Sequence, residues 1–386
     1  MAHNGTPSYS SDLKQKPSSS LALPEASIAS AAHRLPTWAT IEGLQCPSHL
    51  SLQQCSSEAT AMYKAEVVRR LFPQGGAAMV DLTGGLGVDF SALAPHFEHA
   101  TYVEQRPELC AAMRHNAPLL GLRHIDIVEG NSTEYLEHMP PVDLIFIDPA
   151  RRDTTGRKTV YIEDCEPNVA QLLPLLQAKA RHTLVKLSPM LDVHRAVQTL
   201  RSVAEIHIVG AQNECKELLL LLTPDAQNPR IVCAEGNHRF AFTAEEEAAA
   251  TATLTATPLS YHYEPNATLM KAGAFKLVAQ RFGLQKFHPN THLYTSQQPI
   301  ENFPGRAFRI LRTGGFGKRA LRDFKGDCTQ ANLTVRNFPA SVAELRKKLK
   351  LKEGGSEYWF ATTLADNSHV LIACEKISLP HSTSAE

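Results

Sequence analysis

The chain has 386 residues, 43% hydrophobic and 20% charged, with 39 Lys or Arg against 39 Asp or Glu. That apolar fraction suffices to bury a sizeable core and excludes global disorder, and the length implies two or three domains. The charge balance excludes a chain that is basic throughout, though not a local basic face, and no apolar run reaches the roughly 18 residues of a membrane-spanning helix.

The start, MAHNGTPSYSSDLKQKPSSS, lacks an apolar stretch, so no signal peptide is expected. Residues 1–30 are rich in Ser and Pro and read as a flexible tail. Residues 31–72 read as an N-terminal helical segment. Within it, SSEATAMYKAEVVRRLF sets Ala61, Ala65, Val68 and Leu71 on one face, with Ser56 or Ser57 as a cap. Between 73 and 258 short apolar strands alternate with helical stretches. The strands are AAMVDL (77–82), ATYVEQ (100–105), IDIVEG (125–130), DLIFID (143–148), HTLVKL (182–187), AEIHIVG (204–210) and ELLLLL (217–222). Such alternation predicts an α/β fold, a doubly wound and mostly parallel Rossmann-like sheet. The short QNECK connection between the last two strands suits an antiparallel hairpin, expected at the sheet edge. A second hairpin is expected at 230–243, and 245–258 reads as a linker or weak helix. Residues 259–304 form a small unit with one helix through ATLMKAGAFKLVAQRFG and a strand near THLYTS. Residues 305–378 form an α+β unit with a helix at SVAELRKKLKL and strands at YWFATTL and SHVLIACEK. The eight cysteines include no CxxC and the 17 histidines no HExxH, so no metal is expected, and the thiols suit a reduced, cytoplasmic setting.

The loop after the first strand, Asp81-Leu82-Thr83-Gly84-Gly85-Leu86-Gly87-Val88-Asp89, joins an apolar strand to a helical pattern. Glycines there let a ligand approach the backbone, and Glu104, 23 residues beyond Asp81, can take the hydroxyls of a ribose. The third glycine of a dinucleotide site is missing. Asp81 can instead receive an ammonium, which favours S-adenosyl-L-methionine over NAD. Asn131, past the third strand, would border the adenine, or serve as a turn residue. The fourth strand delivers Asp148-Pro149-Ala150-Arg151-Arg152 to the same crevice. Asp148 can accept a hydrogen bond from an amine, Pro149 fixes the turn, and Arg151 and Arg152 can hold phosphate oxygens. Lys186 and Ser188 are secondary candidates at the end of the fifth strand. Cys165 is flanked by Glu163, Asp164 and Glu166, which oppose a thiolate, so it is not expected to be catalytic.

The order DLTGGLGVD, YVEQ, EGN, IFIDPARR resembles class I S-adenosylmethionine-dependent methyltransferases. The chain is most similar to bacterial RNA-methyltransferase-like proteins with a C-terminal THUMP-like domain, through SLQQCSSEATAMYKAE, YEPNATLMKAGAFKL, HPNTHLYTS and NFPASVAELRKKLKLKEGG. The resemblance implies a ferredoxin-like unit at 259–304, a THUMP-like domain at 305–378 and an RNA substrate, tRNA or rRNA. It assigns Asp81, Thr83, Gly85 and Gly87 to the methionine part, Glu104 to the ribose, Asn131 to the adenine edge, and Asp148 with Pro149 to the acceptor. Ala150 and Arg151 stand where amine methyltransferases carry an aromatic, which counts against N6-adenine chemistry.

The charge supports an RNA partner. Residues 306–352 carry thirteen Lys or Arg and three acids, a local +10 that includes Lys347 and Lys348. Phe316, Phe324 and Phe338 are candidates to stack on bases, although isolated phenylalanines are more often core. Competing readings are a catalytically inactive RNA-binding protein with the same fold and a methyltransferase of a small molecule or protein.

Overall fold

A computed structural model describes residues 27–151 and 161–378, with backbone only for Arg151. Among the described residues, eighteen strands fall into two large sheets and one two-residue pair, and are numbered in chain order.

The first sheet has nine strands: β1 (Gly76–Asp81), β2 (Phe97–Glu104), β3 (Ile125–Glu129), β4 (Val142–Ile147), β7 (Ala180–Leu187), β8 (Val203–Ala211), β9 (Glu214–Leu222), β10 (Arg230–Glu235) and β11 (His238–Thr243). Their order is β11-β10-β8-β9-β7-β4-β1-β2-β3. β3, β2, β1, β4 and β7 run parallel, so their carboxyl ends line one crevice. β5 (Ala150–Arg151) pairs with β6 (Cys165–Glu166) just beyond β4.

Two expectations are corrected here. The β8–β9 hairpin forms as read, but inside the sheet, with β9 antiparallel to both β7 and β8. Leu218 through Leu222 are all buried, so both faces of β9 are covered, and such a run belongs in a sheet interior. The edge is taken by the β10–β11 hairpin, with β10 parallel to β8. The single helix expected through 267–283 is two, Ala267–Ala272 and Phe275–Arg281. Gly273, at φ 77°, ends the first in the left-handed conformation that a glycine adopts without strain.

The second sheet joins β12 (Tyr261–Pro265), β13 (Gln285–His288), β14 (Thr291–Ser296), β15 (Gly305–Gly315), β16 (Asn332–Arg336), β17 (Glu357–Thr363) and β18 (His369–Ile377) in the order β13-β14-β12-β15-β18-β17-β16. β15 pairs with β12 on one side and β18 on the other, so the two C-terminal units share one sheet. In its core His262 packs against Phe360, the rings tilted by 46° with centres 4.2 Å apart. The first of these units also shares a core with the large sheet, because Tyr263, Leu269, Leu277 and Val278 cluster with Ile208, Leu218 and Phe240.

The N-terminal segment braces the crevice. Packing begins within the last residues of the expected tail: Ile28 is buried with Leu35, Trp38 and Leu52 against Leu86 and Val88 of the glycine loop. Glu58, at the start of helix Glu58–Leu71, accepts from the backbone N–H of Thr37 and Trp38 at 3.1 and 2.8 Å. The opposite side of that helix buries Val67 and Val68 on the sheet with Met79, Phe146 and Leu219.

Candidate functional site

The glycine loop follows β1 and opens helix Val88–Leu93. A Cβ on Gly84 would meet the Tyr102 ring at 2.2 Å, and one on Gly87, at φ 86°, would meet Met113 at 1.8 Å. Gly84 is therefore required by packing, whereas at Gly87 the flexible end of Met113 could shift and the left-handed φ is what demands glycine. Gly85 differs: a Cβ there would have nothing nearer than 3.7 Å. Its N–H donates to Glu104 Oε2 at 2.9 Å and its carbonyl accepts from the Tyr102 hydroxyl.

Glu104, buried at the end of β2, is partly engaged. Besides Gly85 it accepts from Arg106 N at 3.0 Å and Arg106 Nε at 3.1 Å, both through Oε1. A carboxylate has about four lone-pair sites, so a two-pronged ribose contact requires the Arg106 side chain to move aside. Asp81 lies 1% exposed at the end of β1, and its Oδ1 accepts from Thr83 N at 2.9 Å. Burial pushes the Asp81 carboxyl up to about 8, opposed in part by that Thr83 N–H. Thr83 Oγ1 accepts from Asp148 N at 2.7 Å and so ties the glycine loop to the end of β4.

Asp148 is the most open acid here, its side chain 36% exposed, and Lys186 of β7 donates to its Oδ2. Pro149 is buried beside it. Arg152 lies outside the described residues, as does the side chain of Arg151. Asn131 caps helix Ser132–His138, accepting from Thr133 N at 2.8 Å and Glu134 N at 3.3 Å, so the helix cap occupies its carbonyl oxygen. Cys165 is buried, away from reagents in bulk water.

Beneath the crevice lies a group of charges of which the sequence reading singled out only Lys186, and not Lys64, Asp89 or Glu217. Lys64, fully buried on helix Glu58–Leu71, sits 2.7 Å from Glu217 Oε1 and 3.0 Å from Asp89 Oδ1. Asp89 Oδ2 accepts from Ser56 Oγ at 2.7 Å and lies 3.5 Å from Lys186 Nζ. Burial alone would raise Asp89, but Lys64 and Lys186 hold its carboxyl below the usual range, while burial leaves Glu217 raised. Burial would lower Lys186, and Asp148 and Asp89 reverse this and raise it, so it stays an ammonium. The available sequence signal was Thr60 and Lys64 one turn apart on the helix, with Ser56 just before its N-cap.

The C-terminal cations divide into two sets. Arg306 and Arg336 both pair with Glu264, Arg309 with Glu375, Arg312 with Glu357 and Arg346 with Glu353. Those four acids lie outside the 306–352 window, so +10 overstates the free charge. Lys318, Lys347, Lys348, Lys350 and Lys352 are exposed, as are Arg319 and Arg322, which share Asp323 at 3.7 and 3.6 Å. Lys348 Nζ stands 4.9 Å over the Phe316 ring, and Phe316 meets Phe338 edge-on. Phe324 is core, packed on Trp359, and cannot stack on a base. Lys271 Nζ donates to the carbonyl of Leu191 at 2.8 Å, tying this half of the chain to the loop after β7. Two hollows, about 550 Å³ beside Arg312 and Glu357 and about 600 Å³ beside Tyr63 and Arg239, have no lining from Asp81, Glu104 or Asp148.

Comparison with known proteins adds the following. Residues 261–304 match a ferredoxin-like domain family and residues 305–376 a THUMP domain-like family. No curated protein matches the chain. A crystal structure from Porphyromonas gingivalis W83, titled "putative methyltransferase", is 38% identical, covers 90% of this chain and 88% of its own, and superposes with a TM-score of 0.81. An rRNA methylase from Streptococcus thermophilus aligns over 43% of this chain and 97% of its own at 11% identity, with a TM-score of 0.34. A class I S-adenosylmethionine-dependent methyltransferase structure from Listeria monocytogenes, also titled putative, aligns over 47% and 65% at 12% identity, with a TM-score of 0.35. The last two superpositions are too loose to carry an argument.

Proposed function

The chain belongs to the class I methyltransferase family that carries a C-terminal THUMP-like domain, and from that premise we propose that it methylates RNA with S-adenosyl-L-methionine as donor. The observation that carries this reading is the crevice itself. Asp81, Thr83, Gly85, Glu104 and Asp148 converge at the carboxyl ends of three neighbouring parallel strands.

The residues fit that cofactor by their chemistry. A buried carboxylate at Asp81 suits an ammonium, and the open Gly85 allows close approach of the methionine part. Glu104 suits the ribose once Arg106 swings away. The cofactor supplies a methyl group already electrophilic on a sulfonium, so the protein's main task is alignment. Asp148, kept in place through its backbone by Thr83 and through its carboxylate by Lys186, would accept a hydrogen bond from an acceptor N–H or take its proton. Lys186 remains charged and steadies that carboxylate rather than acting as a base. Pro149 closes the turn behind it. Asn131, busy as a helix cap, retains only its amide NH₂ for an adenine edge. The exposed lysines and arginines near Lys347 and Lys348 would dock the RNA backbone of a tRNA or rRNA in the cytoplasm, with Arg151 and Arg152 as further phosphate ligands.

The deciding experiment is calorimetric titration with S-adenosylhomocysteine and with NAD, followed by transfer of tritiated methyl to transcribed tRNA and rRNA pools. Binding of the homocysteine compound with incorporation into one pool supports the reading. NAD binding with silence toward S-adenosylhomocysteine overturns it.

A further inference from the structure

The crevice rests on a cluster of five buried or half-buried charged groups drawn from distant parts of the chain. Lys64 comes from the N-terminal helix, Asp89 from the glycine-loop helix, Asp148 follows β4, Lys186 comes from β7 and Glu217 from β9. Two ammonium groups face three carboxylates.

The hydrogen bonds are unevenly shared. Lys64 has three N–H groups, and they face Glu217 Oε2 at 2.8 Å, the Thr60 carbonyl at 3.3 Å and Ser56 Oγ at 3.4 Å. Asp89 Oδ1 and Glu217 Oε1 are both buried, 3.0 and 2.7 Å from that nitrogen, so one ammonium is divided between two acids and leaves neither fully satisfied. An under-satisfied buried carboxylate attracts the next cation strongly. That cation is Lys186, which lies 3.5 Å from Asp89 and already holds Asp148. Lys186 is therefore shared between a buried acid and an acid open to the crevice.

Glu217 is placed deliberately. The β8–β9 register slips between Val209, opposite Glu217, and Gly210, opposite Cys215. Such a bulge re-aims a side chain. It sets one acid on a strand whose next five residues are leucines. A buried ion pair of this kind adds little stability over well-packed apolar residues, so stability alone does not account for it.

We infer that Lys64 and Glu217, acting through Asp89, form a buried positioning relay that sets how far Lys186 leans toward Asp148, and thereby fixes the Asp148 carboxylate in the crevice. This rests on the proposed role of Asp148 as the group facing the methyl acceptor. The better Lys64 neutralises Asp89, the more completely Lys186 belongs to Asp148. Glu217 tunes that division by competing for Lys64.

The relay makes predictions of opposite sign. In the full-length double variant Lys64→Met/Glu217→Met, Asp89 loses its first cation and draws Lys186 off Asp148. Crystal structures should show the Lys186–Asp89 separation shortened and the Lys186–Asp148 ion pair broken. Methyl transfer to transcribed tRNA and rRNA pools should fall on the order of 100-fold, as misplacement by about 1 Å can cause. Affinity for S-adenosylhomocysteine should stay within about twofold. Adding Asp89→Asn to this variant should return Lys186 to Asp148 and restore the rate, a rescue that a purely structural role does not produce. In Glu217→Gln, Lys64 is freed for Asp89, so the Lys186–Asp89 separation should lengthen. If Lys186 keeps its position in both the double variant and Glu217→Gln, the relay is overturned. If the double variant does not fold, Glu217→Gln alone decides by the direction Lys186 moves. If wild-type protein methylates neither RNA pool, the RNA reading fails, while the position of Lys186 still decides the relay.

Discussion

The crevice and the C-terminal face use charge in opposite ways. At the crevice Lys64, Asp89 and Glu217 are buried, Lys186 is half-buried, all four are held by one another, and only Asp148 reaches solvent appreciably. At the C-terminal face Lys318, Lys347 and Lys348 stand in water, while Arg306, Arg312 and Arg336 of the same stretch are tied to acids. A charge that shapes a site is thus not found by counting, and a counted charge is not necessarily available. Buried groups act by geometry and resist salt, whereas exposed ones act by number and are screened within about 8–10 Å.

The largest effect that can test this contrast is loss of the open crevice acid. Asp148→Ala should cut methyl transfer by roughly 10²–10⁴-fold, the usual range for a positioned acid or base, with S-adenosylhomocysteine affinity nearly intact. Equal loss of both would make Asp148 a cofactor or folding residue. Next comes Glu104→Ala, which removes the carboxylate proposed to hold the ribose. Hydrogen bonds to a charged group contribute about 1.5–3 kcal/mol, so calorimetry should read a Kd raised by roughly 10–150-fold. Unchanged affinity would take Glu104 out of the site.

A pH series sharpens the buried side of the comparison. The free-protein Asp81 carboxyl is raised to about 8, so below that pH it is mostly protonated. An ammonium ligand favours the carboxylate, so binding expels a proton there. Cofactor affinity should rise up to about tenfold per pH unit between 6 and 8 and level off above 8. For folding the sign is reversed: the protonated Asp81 favours the native state at low pH, and this contribution is lost as pH rises through 8. A flat affinity profile from pH 6 to 8 would separate Asp81 from the ammonium.

The smallest effect belongs to the exposed side. Lys347→Glu/Lys348→Glu should weaken binding of all RNAs alike and flatten the log–log salt dependence by about 0.7 for each single-strand phosphate that is no longer neutralised. Cofactor affinity should not change. Arg309→Glu, at a cation already paired with Glu375, should flatten the slope less. Equal slopes for the two variants, read by fluorescence anisotropy, would erase the distinction between paired and free cations.

Much of the first sheet was legible because its strands carry unbroken apolar runs bounded by turns. The glycine loop and the acids after β1, β2 and β4 were legible because strand ends in such sheets face one crevice. The interior place of β9 was not, since a short connection fixes a hairpin but burial on both faces fixes its location. Gly273 broke a helix whose apolar spacing reads through it. Asn131 had two readings, and its cap hydrogen bonds realise the local one. Lys64 and Glu217 were invisible for a different reason. They are 153 residues apart, and a lysine on a helix reads as solvated until its partner is known.

The shared C-terminal sheet has a practical consequence for dissecting this protein. The two family matches meet between residues 304 and 305, yet β12 and β15 on either side of that point are hydrogen-bonded neighbours. Truncation there would strip β12 of its partner along Tyr261–Pro265 and lay open a strand whose residues His262, Tyr263 and Glu264 are buried. An edge of that kind recruits other chains and precipitates. The boundary drawn by inheritance is therefore not a place to cut. Substrate docking in this chain is better dissected by changing surface charges than by removing the domain.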